Sequence, residues 1–232
     1  MSSLENHLIE LLSRRDRQRL LAICEPVPLV LGEVLCERGT PTRHVYLPIE
    51  GFVSLVTLIE GSPALEVGMV GREGMVGAHL AQGVATSPLR ALVQGAGTAW
   101  RMGSAAFRVE LARSPALQRG LNRYLYVLMA QLASSAACLR FHQIGPRLAR
   151  WLLMSQDRAH ADQFHMTHEF LAYMLGVRRV GITAAAGALQ SSGLIAYRRG
   201  ELTVLDRSGL EAAACGCYRA DQQSYAELMQ PL

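Results

Sequence analysis

The sequence has no lysine; all 23 of its basic side chains are arginines. It has no Cys-x-x-Cys pair, and only 18% of its residues are charged and 6% aromatic. Each shortage excludes something. Low charge, with half the residues hydrophobic, excludes a disordered, tail-like chain. The five cysteines, Cys24, Cys36, Cys138, Cys215 and Cys217, are odd in number, which argues against a disulfide framework and fits a reducing compartment. Gly71, Gly74 and Gly77 lack the Lys-Ser/Thr of a phosphate loop, and no Gly-x-Ser-x-Gly elbow occurs. With no evident carboxylate pair either, the chain reads as a non-enzyme. Val180–Tyr197, the longest uncharged window, is interrupted by Gly181, Gly187, Gln190 and Gly193 and makes a poor bilayer span. Met1–Leu12 carries Glu5 and Glu10 where a signal peptide would be basic, then apolar. The expectation is a soluble cytoplasmic protein with no membrane partner. A net charge of +4 is too mild to demand a nucleic-acid partner by itself.

What is present falls into three textures. Leu4–Cys24 reads as a short amphipathic helix, with Arg14, Arg15, Arg17 and Arg19 on a solvated face. Pro26–Met102 then holds short β-rich runs (Val27–Leu31, Val34–Cys36, His44–Pro48, Phe52–Ile59, Leu65–Val70, Arg90–Gln94, Thr98–Met102). Glycine or proline turns punctuate them, among them Gly51, Gly61-Ser62-Pro63, Gly95 and Gly97. Such spacing predicts an antiparallel sandwich or barrel. Ala105–His142 is helical, with Pro115 in the first turn of a long helix. Leu121, Leu125, Leu128, Leu132, Ser135 and Leu139 recur in steps of four and three, an a/d seam that predicts a homodimeric coiled coil; a helix buried on its own domain is the alternative. Gly145-Pro146 breaks the helix and marks a boundary. The expected domains are 1–104, 105–144 and 145–232, in an α+β fold.

The last domain carries the functional signal. Thr167 is the N-cap of a helix ending at Gly176, a second helix covers Val177–Gly193, and Ile195–Tyr197 and Leu202–Leu205 form a hairpin. This is a winged helix-turn-helix pattern. Between Phe170 and Gly200 there are four arginines and no acid. Arg178 and Arg179 lie at the start of the second helix, and Arg198 and Arg199 at the hairpin tip. Those are the places a winged helix meets bases and phosphates of double-stranded DNA.

With these segments together, the chain resembles the Crp–Fnr family of bacterial transcription regulators. Gly32–Leu55 is similar to that family's jelly-roll signature, and Met166–Asp206 to its helix-turn-helix and wing. The resemblance implies an N-terminal jelly roll that binds an effector, a long dimerisation helix, and a C-terminal DNA-binding domain. The implied function is that of a sequence-specific homodimeric transcription regulator, with RNA polymerase as a further partner. It implies DNA contacts at Thr167, Arg178, Arg179, Gly181, Thr183, Ala184, Arg198 and Arg199. Arg179 falls on the first arginine of the family's Arg-Glu-Thr-x-x-Arg readout. Val180, Gly181 and Ala184 replace the other three, which implies a different half-site.

The implied effector pocket comprises Gly71, Glu73, Gly74, Val76, Gly77, Arg90 and Ala91. Ala78 stands where a carboxylate would receive a ribose hydroxyl, and Ala91 where a serine would join Arg90 at a cyclic phosphate. These replacements argue against a cyclic-nucleotide cofactor, each lost charge-assisted bond being worth about 1.5–3 kcal/mol. Arg90 would then bind another anion or pair with an acid such as Glu66. The alternatives are a cyclic-nucleotide-responsive regulator and a ligand-binding or adaptor module without DNA binding.

No metal site is expected. Cys24 and Cys36 are too few for an N-terminal iron–sulfur cluster. Cys215 and Cys217, with His160, His165 or His168 as nitrogen donors, match no zinc spacing and read as buried small residues. His142 reads as a capping residue.

Overall fold

The computed structural model describes residues 5–61 and 64–230. Leu4, where the expected N-terminal helix began, and Ser62-Pro63 of one expected turn lie outside the described residues. The expected first helix is two pieces, α1 (His7–Glu10) and α2 (Arg14–Leu21). They part at Ser13, whose hydroxyl accepts from the Asp16 amide at 3.2 Å and caps α2. The arginines here do more than face water: Arg17 donates to the Ile9 and Glu10 carbonyls, and Arg19 pairs with Glu110 at 3.0 Å.

The first module is an antiparallel sheet of β1 (Glu25–Leu29), β2 (Val34–Cys36), β3 (His44–Thr57), β4 (Leu65–Val70) and β5 (Arg90–Gly103), in the order β1-β5-β3-β4 with β2 also on β5. The pairs of runs expected on either side of Gly51 and of Gly95–Gly97 are each one continuous 14-residue strand. Their glycines are not loop residues. A Cβ on Gly97 would lie 2.2 Å from the Glu50 carbonyl oxygen, and one on Gly51 would lie 2.3 Å from that of Gly95. Glycine here lets two strand backbones close on each other where register shifts bend β3 between Pro48 and Val53.

Then come α3 (Ser104–Arg113) and α4 (Pro115–Phe141). Pro115 occupies the first turn of α4, and the Ser114 hydroxyl accepts from the Leu117 amide at 3.2 Å. The helix breaks at His142-Gln143, earlier than expected. Gly145 and Pro146 sit inside the first turn of α5 (Ile144–Ala159), where a missing proline N–H costs nothing.

The C-terminal module continues with β6 (Gln163–His165), α6 (His168–Leu175), α7 (Arg179–Ser191), β7 (Ile195–Arg198), β8 (Glu201–Val204), α8 (Arg207–Ala213) and α9 (Cys217–Leu228). The expected two-stranded hairpin is a three-stranded sheet, β6-β8-β7.

The two modules share core. Phe52, Val56 and Met69 of the roll pack with Leu148, Trp151 and Leu152 of α5 and with Leu171 of α6. A second cluster joins Leu8, Leu20, Leu47, Phe107, Leu117 and Leu121 to Met229, which follows α9. Thus α9 runs back along α4 to the first module.

Candidate nucleic-acid interface and effector cavity

The helix-turn-helix is set by three local devices. The Thr167 hydroxyl accepts from the Phe170 amide at 3.1 Å and starts α6. Gly176 (φ +61°) ends it in the left-handed region, while the Val177 amide bonds back to Ala172 O at 3.0 Å. The α7 helix then buries Ile182, Ala185, Ala186 and Leu189 against its own module. The opposite face presents Arg179, Val180, Thr183 and Ala184, with Arg178 just before the helix, all turned toward solvent. Val180, at 72% exposure, is a large apolar side chain left in water.

Gly181 differs from the other expected contacts. A Cβ there would meet Ile144 Cδ1 at 2.7 Å, so this position faces α5 rather than outward. Its expected place among the outward contacts is corrected accordingly. Here the start of α7 approaches the side chain of Ile144 at the start of α5.

The wing tip is a two-residue turn, with Arg198 and Glu201 paired across it. Both turn residues, Arg199 (φ +53°) and Gly200 (φ +87°), are left-handed. That matches the twist of a tight hairpin and costs most at the non-glycine residue. Arg198 and Arg199 point into solvent. Among the described residues no ion pair involves Arg178, Arg179, Arg198 or Arg199. Two guanidinium groups thus lie at the positive end of α7 and two at the wing tip.

His168 and Tyr197 carry no signal in the sequence, yet they position this surface. The His168 ring stacks on Tyr197 at 4.4 Å, and its Nδ1 lies 3.0 Å from the Thr183 hydroxyl. The hydroxyl in turn donates to Arg179 O at 3.1 Å. Burial first, then the charge of Arg179, lowers the His168 pKa, so the ring is neutral and Nδ1–H can donate. The Tyr197 hydroxyl donates to Met166 O at 2.7 Å. This chain links α6, α7 and the wing. No sequence spacing signals it, because its members lie on separate elements.

A cavity of about 540 Å³ lies between the roll and α4. Of the expected effector residues, Val76, Gly77 and Ala91 line it, together with Ala78. The other four do not. Arg90 pairs with Glu37 at 2.9 Å rather than with Glu66. Glu73 accepts from the Gly71 amide and from Arg158 of α5 at 2.8 Å, beside a second, polar cavity of about 420 Å³. Gly71 lies against Arg158 and Gly74 against the Tyr124 hydroxyl, where a Cβ would collide. The apolar part of the cassette therefore makes the cavity wall, while Glu73 joins the two modules.

Among the described residues, no Asp, Glu or Arg lines the first cavity. Its polar groups are His79, Gln82, Ser87, Asn122 and Tyr126. Burial lowers the pKa of His79, whose Nε2 lies 2.8 Å from the Thr42 hydroxyl.

Of the expected dimer seam, Leu121 is 1% exposed and packed in its own core; the others are half-buried, with Leu125, Leu128 and Leu132 lining the first cavity beside Asn122, Tyr126 and Met129, Ser135 3.4 Å from Arg150, and Leu139 bordering a small hollow with Cys138. The residues most exposed to solvent are one position later: Asn122, Tyr126, Met129, Ala133, Ala136 and Arg140. One residue is about 100° of helix, so the exposed stripe is turned toward a neighbouring face. Only the Leu121 end of the leucine stripe is buried in this chain's own core. By length and composition alone, α4 could cross a bilayer. One face of it packs against the roll and α9.

Comparison with known proteins agrees with this architecture. Residues 146–213 match the model of the Crp-like helix-turn-helix domain. That segment is a Crp-like helix-turn-helix domain. Among solved structures, a putative transcriptional regulator of the Crp/Fnr family from Eubacterium rectale superposes with a TM-score of 0.69 at 16% identity, over 90% of this chain and 99% of that one. A CRP/FNR-family transcriptional regulator from Thermus thermophilus gives 0.66 at 24% identity, over 82% and 98%. FixK2 from Bradyrhizobium japonicum gives 0.65 at 15%, over 84% and 98%. At these identities the structures establish the fold. A search of the curated proteins found no match.

Proposed function

We propose that this chain is a Crp–Fnr-type transcription regulator that binds double-stranded DNA as a homodimer, laying the exposed face of α7 in the major groove, in answer to an uncharged, largely apolar effector. The carrying observation is the cationic edge: Arg178, Arg179, Arg198 and Arg199 face solvent and are free of ion pairs among the described residues, around a helix whose other face is buried. Arg179 and Thr183 are offered to base edges, and Arg198 and Arg199 to backbone phosphates. Val180 and Ala184 favour apolar contact, as with a thymine methyl, over the cytosine and guanine contacts their charged counterparts would make.

Homodimerisation is supported by the exposed stripe of α4, where Tyr126 and Met129 are 56% and 60% exposed. The effector class follows from the wall of the first cavity. An anionic phosphate placed there would meet no arginine among the described residues, and a buried charge without a partner is costly.

The deciding experiment is genome-wide footprinting of the purified protein, then gel shifts on the recovered site. Arg179→Ala should weaken that site by about 1–3 kcal/mol. Unchanged affinity would remove Arg179 from the readout. Micromolar binding of cyclic AMP or cyclic GMP in calorimetry would overturn the effector class.

A further inference from the structure

Three of the five cysteines meet in space. Cys138 and His142 are four residues apart, at the end of α4, and so share a helix face. Cys215 and Cys217 lie at the start of α9. The Cys138 and Cys215 sulfurs are 3.5 Å apart, and Cys217 Sγ is 3.6 Å from His142 Nδ1. One donor atom from each of the four residues lies within 4.8 Å of every other. A tetrahedral site with metal–sulfur bonds of about 2.3 Å and a metal–nitrogen bond of about 2.0 Å sets its donors roughly 3.5–3.8 Å apart. The closest pairs already have that separation.

We propose that Cys138, His142, Cys215 and Cys217 form a Cys3His site for a borderline-soft divalent cation, zinc, which clasps the end of α4 to the start of α9. The sequence gives no sign of such a site because the neighbourhood of Cys215 and Cys217 holds only two of the donors. The other two lie more than 70 residues upstream, and only the fold delivers them.

Charge gives independent support. Three thiolates around a divalent cation leave one net negative charge. Arg147 and Arg150 line the same small hollow as Cys138 and are each 8% exposed. Asp221 takes one Arg150 nitrogen at 2.7 Å, but its buried Nε has no hydrogen-bond partner among the described residues. A buried unsatisfied donor on a cation needs an acceptor, and a thiolate-rich centre supplies negative charge beside it. Cys138 and Cys215 are buried, Cys217 is half-buried and His142 exposed, so the cation has an entry path from solvent.

The test uses the full chain purified with zinc present and thiols kept reduced. Metal analysis should find one zinc per chain, and cobalt(II) loading should give the intense absorption of a tetrahedral thiolate site. Cys217→Ser and His142→Asn change residues outside the core and should keep the fold while weakening zinc by more than the roughly 10–100-fold that changes to outer-shell partners produce. Cys36→Ser, in the roll, should change nothing. Absence of zinc above the level of Cys217→Ser overturns the proposal. So does an octahedral cobalt spectrum, or a Cys138–Cys215 disulfide that forms in zinc-replete protein.

Discussion

Arg158 of α5 donates to Glu73 of the roll at 2.8 Å, and both are largely withdrawn from water. Glu73 also receives the Gly71 amide, and its own carbonyl accepts from the Tyr225 hydroxyl of α9 at 2.9 Å. One residue of the expected nucleotide cassette thus ties together the roll, the first helix of the C-terminal module and the C-terminal helix.

Glu73→Ala should therefore destabilise the junction by about 1–3 kcal/mol, because it leaves Arg158 without its charge partner. Glu73→Ala with Arg158→Met should recover part of that loss. Hydrogen exchange across α5 is the measurement; equal protection in all variants would show the pair to be idle.

The register of α4 separates association from folding. Tyr126→Glu with Met129→Glu should give monomers in ultracentrifugation while leaving the fold intact. Leu121→Ala should stay dimeric until it unfolds, at a cost of about 2–5 kcal/mol in stability. The reverse pattern would restore the seam read from the sequence.

Glu66 of β4 accepts from Ser54 and, at 2.7 Å, from the Trp151 indole of α5. Burial pushes its pKa up to about 7, against the pull of both donors and of Arg158 and Arg150 nearby. A raised carboxyl pKa favours the protonated form in the fold. Its contribution is complete below the unfolded value near 4.5 and is lost as pH rises through about 7. Glu66→Gln should match the parent near pH 5 and melt higher near pH 8. Parallel melting curves at all pH values would rule this out.

The wing arginines should act on salt dependence rather than on sequence choice. Losing both Arg198 and Arg199 should reduce the slope of log affinity against log salt by about 2, given roughly 0.9 per phosphate contact. Binding to the recovered site and to unrelated DNA should weaken equally. A changed base preference would move the wing from the backbone to the groove.

How much of this was legible in the sequence depends on range. Thr167 and Gly176 bracket α6 by local rules, so that helix and α7 could be read almost to the residue. Gly51, Gly95 and Gly97 misled, because close backbone approach and a turn both call for glycine. The leucines of α4 showed a stripe but not what covers it, since periodicity carries no information about the partner. Glu73, Arg90 and Arg158 show the same limit: matching a cassette locates a segment, while the ion pairs that redirect its side chains come from distant elements. The Cys138–Cys215 meeting, across 77 residues, had no local signal at all.

Met229 and Tyr225 lie against residues from the first module: Met229 joins the cluster around Leu8 and Leu117, and the Tyr225 hydroxyl meets His7. During synthesis, then, the first module cannot be sealed when it leaves the ribosome. Its open flank must wait for residues 217–229, by which time the C-terminal module has been made as well, so the two mature together.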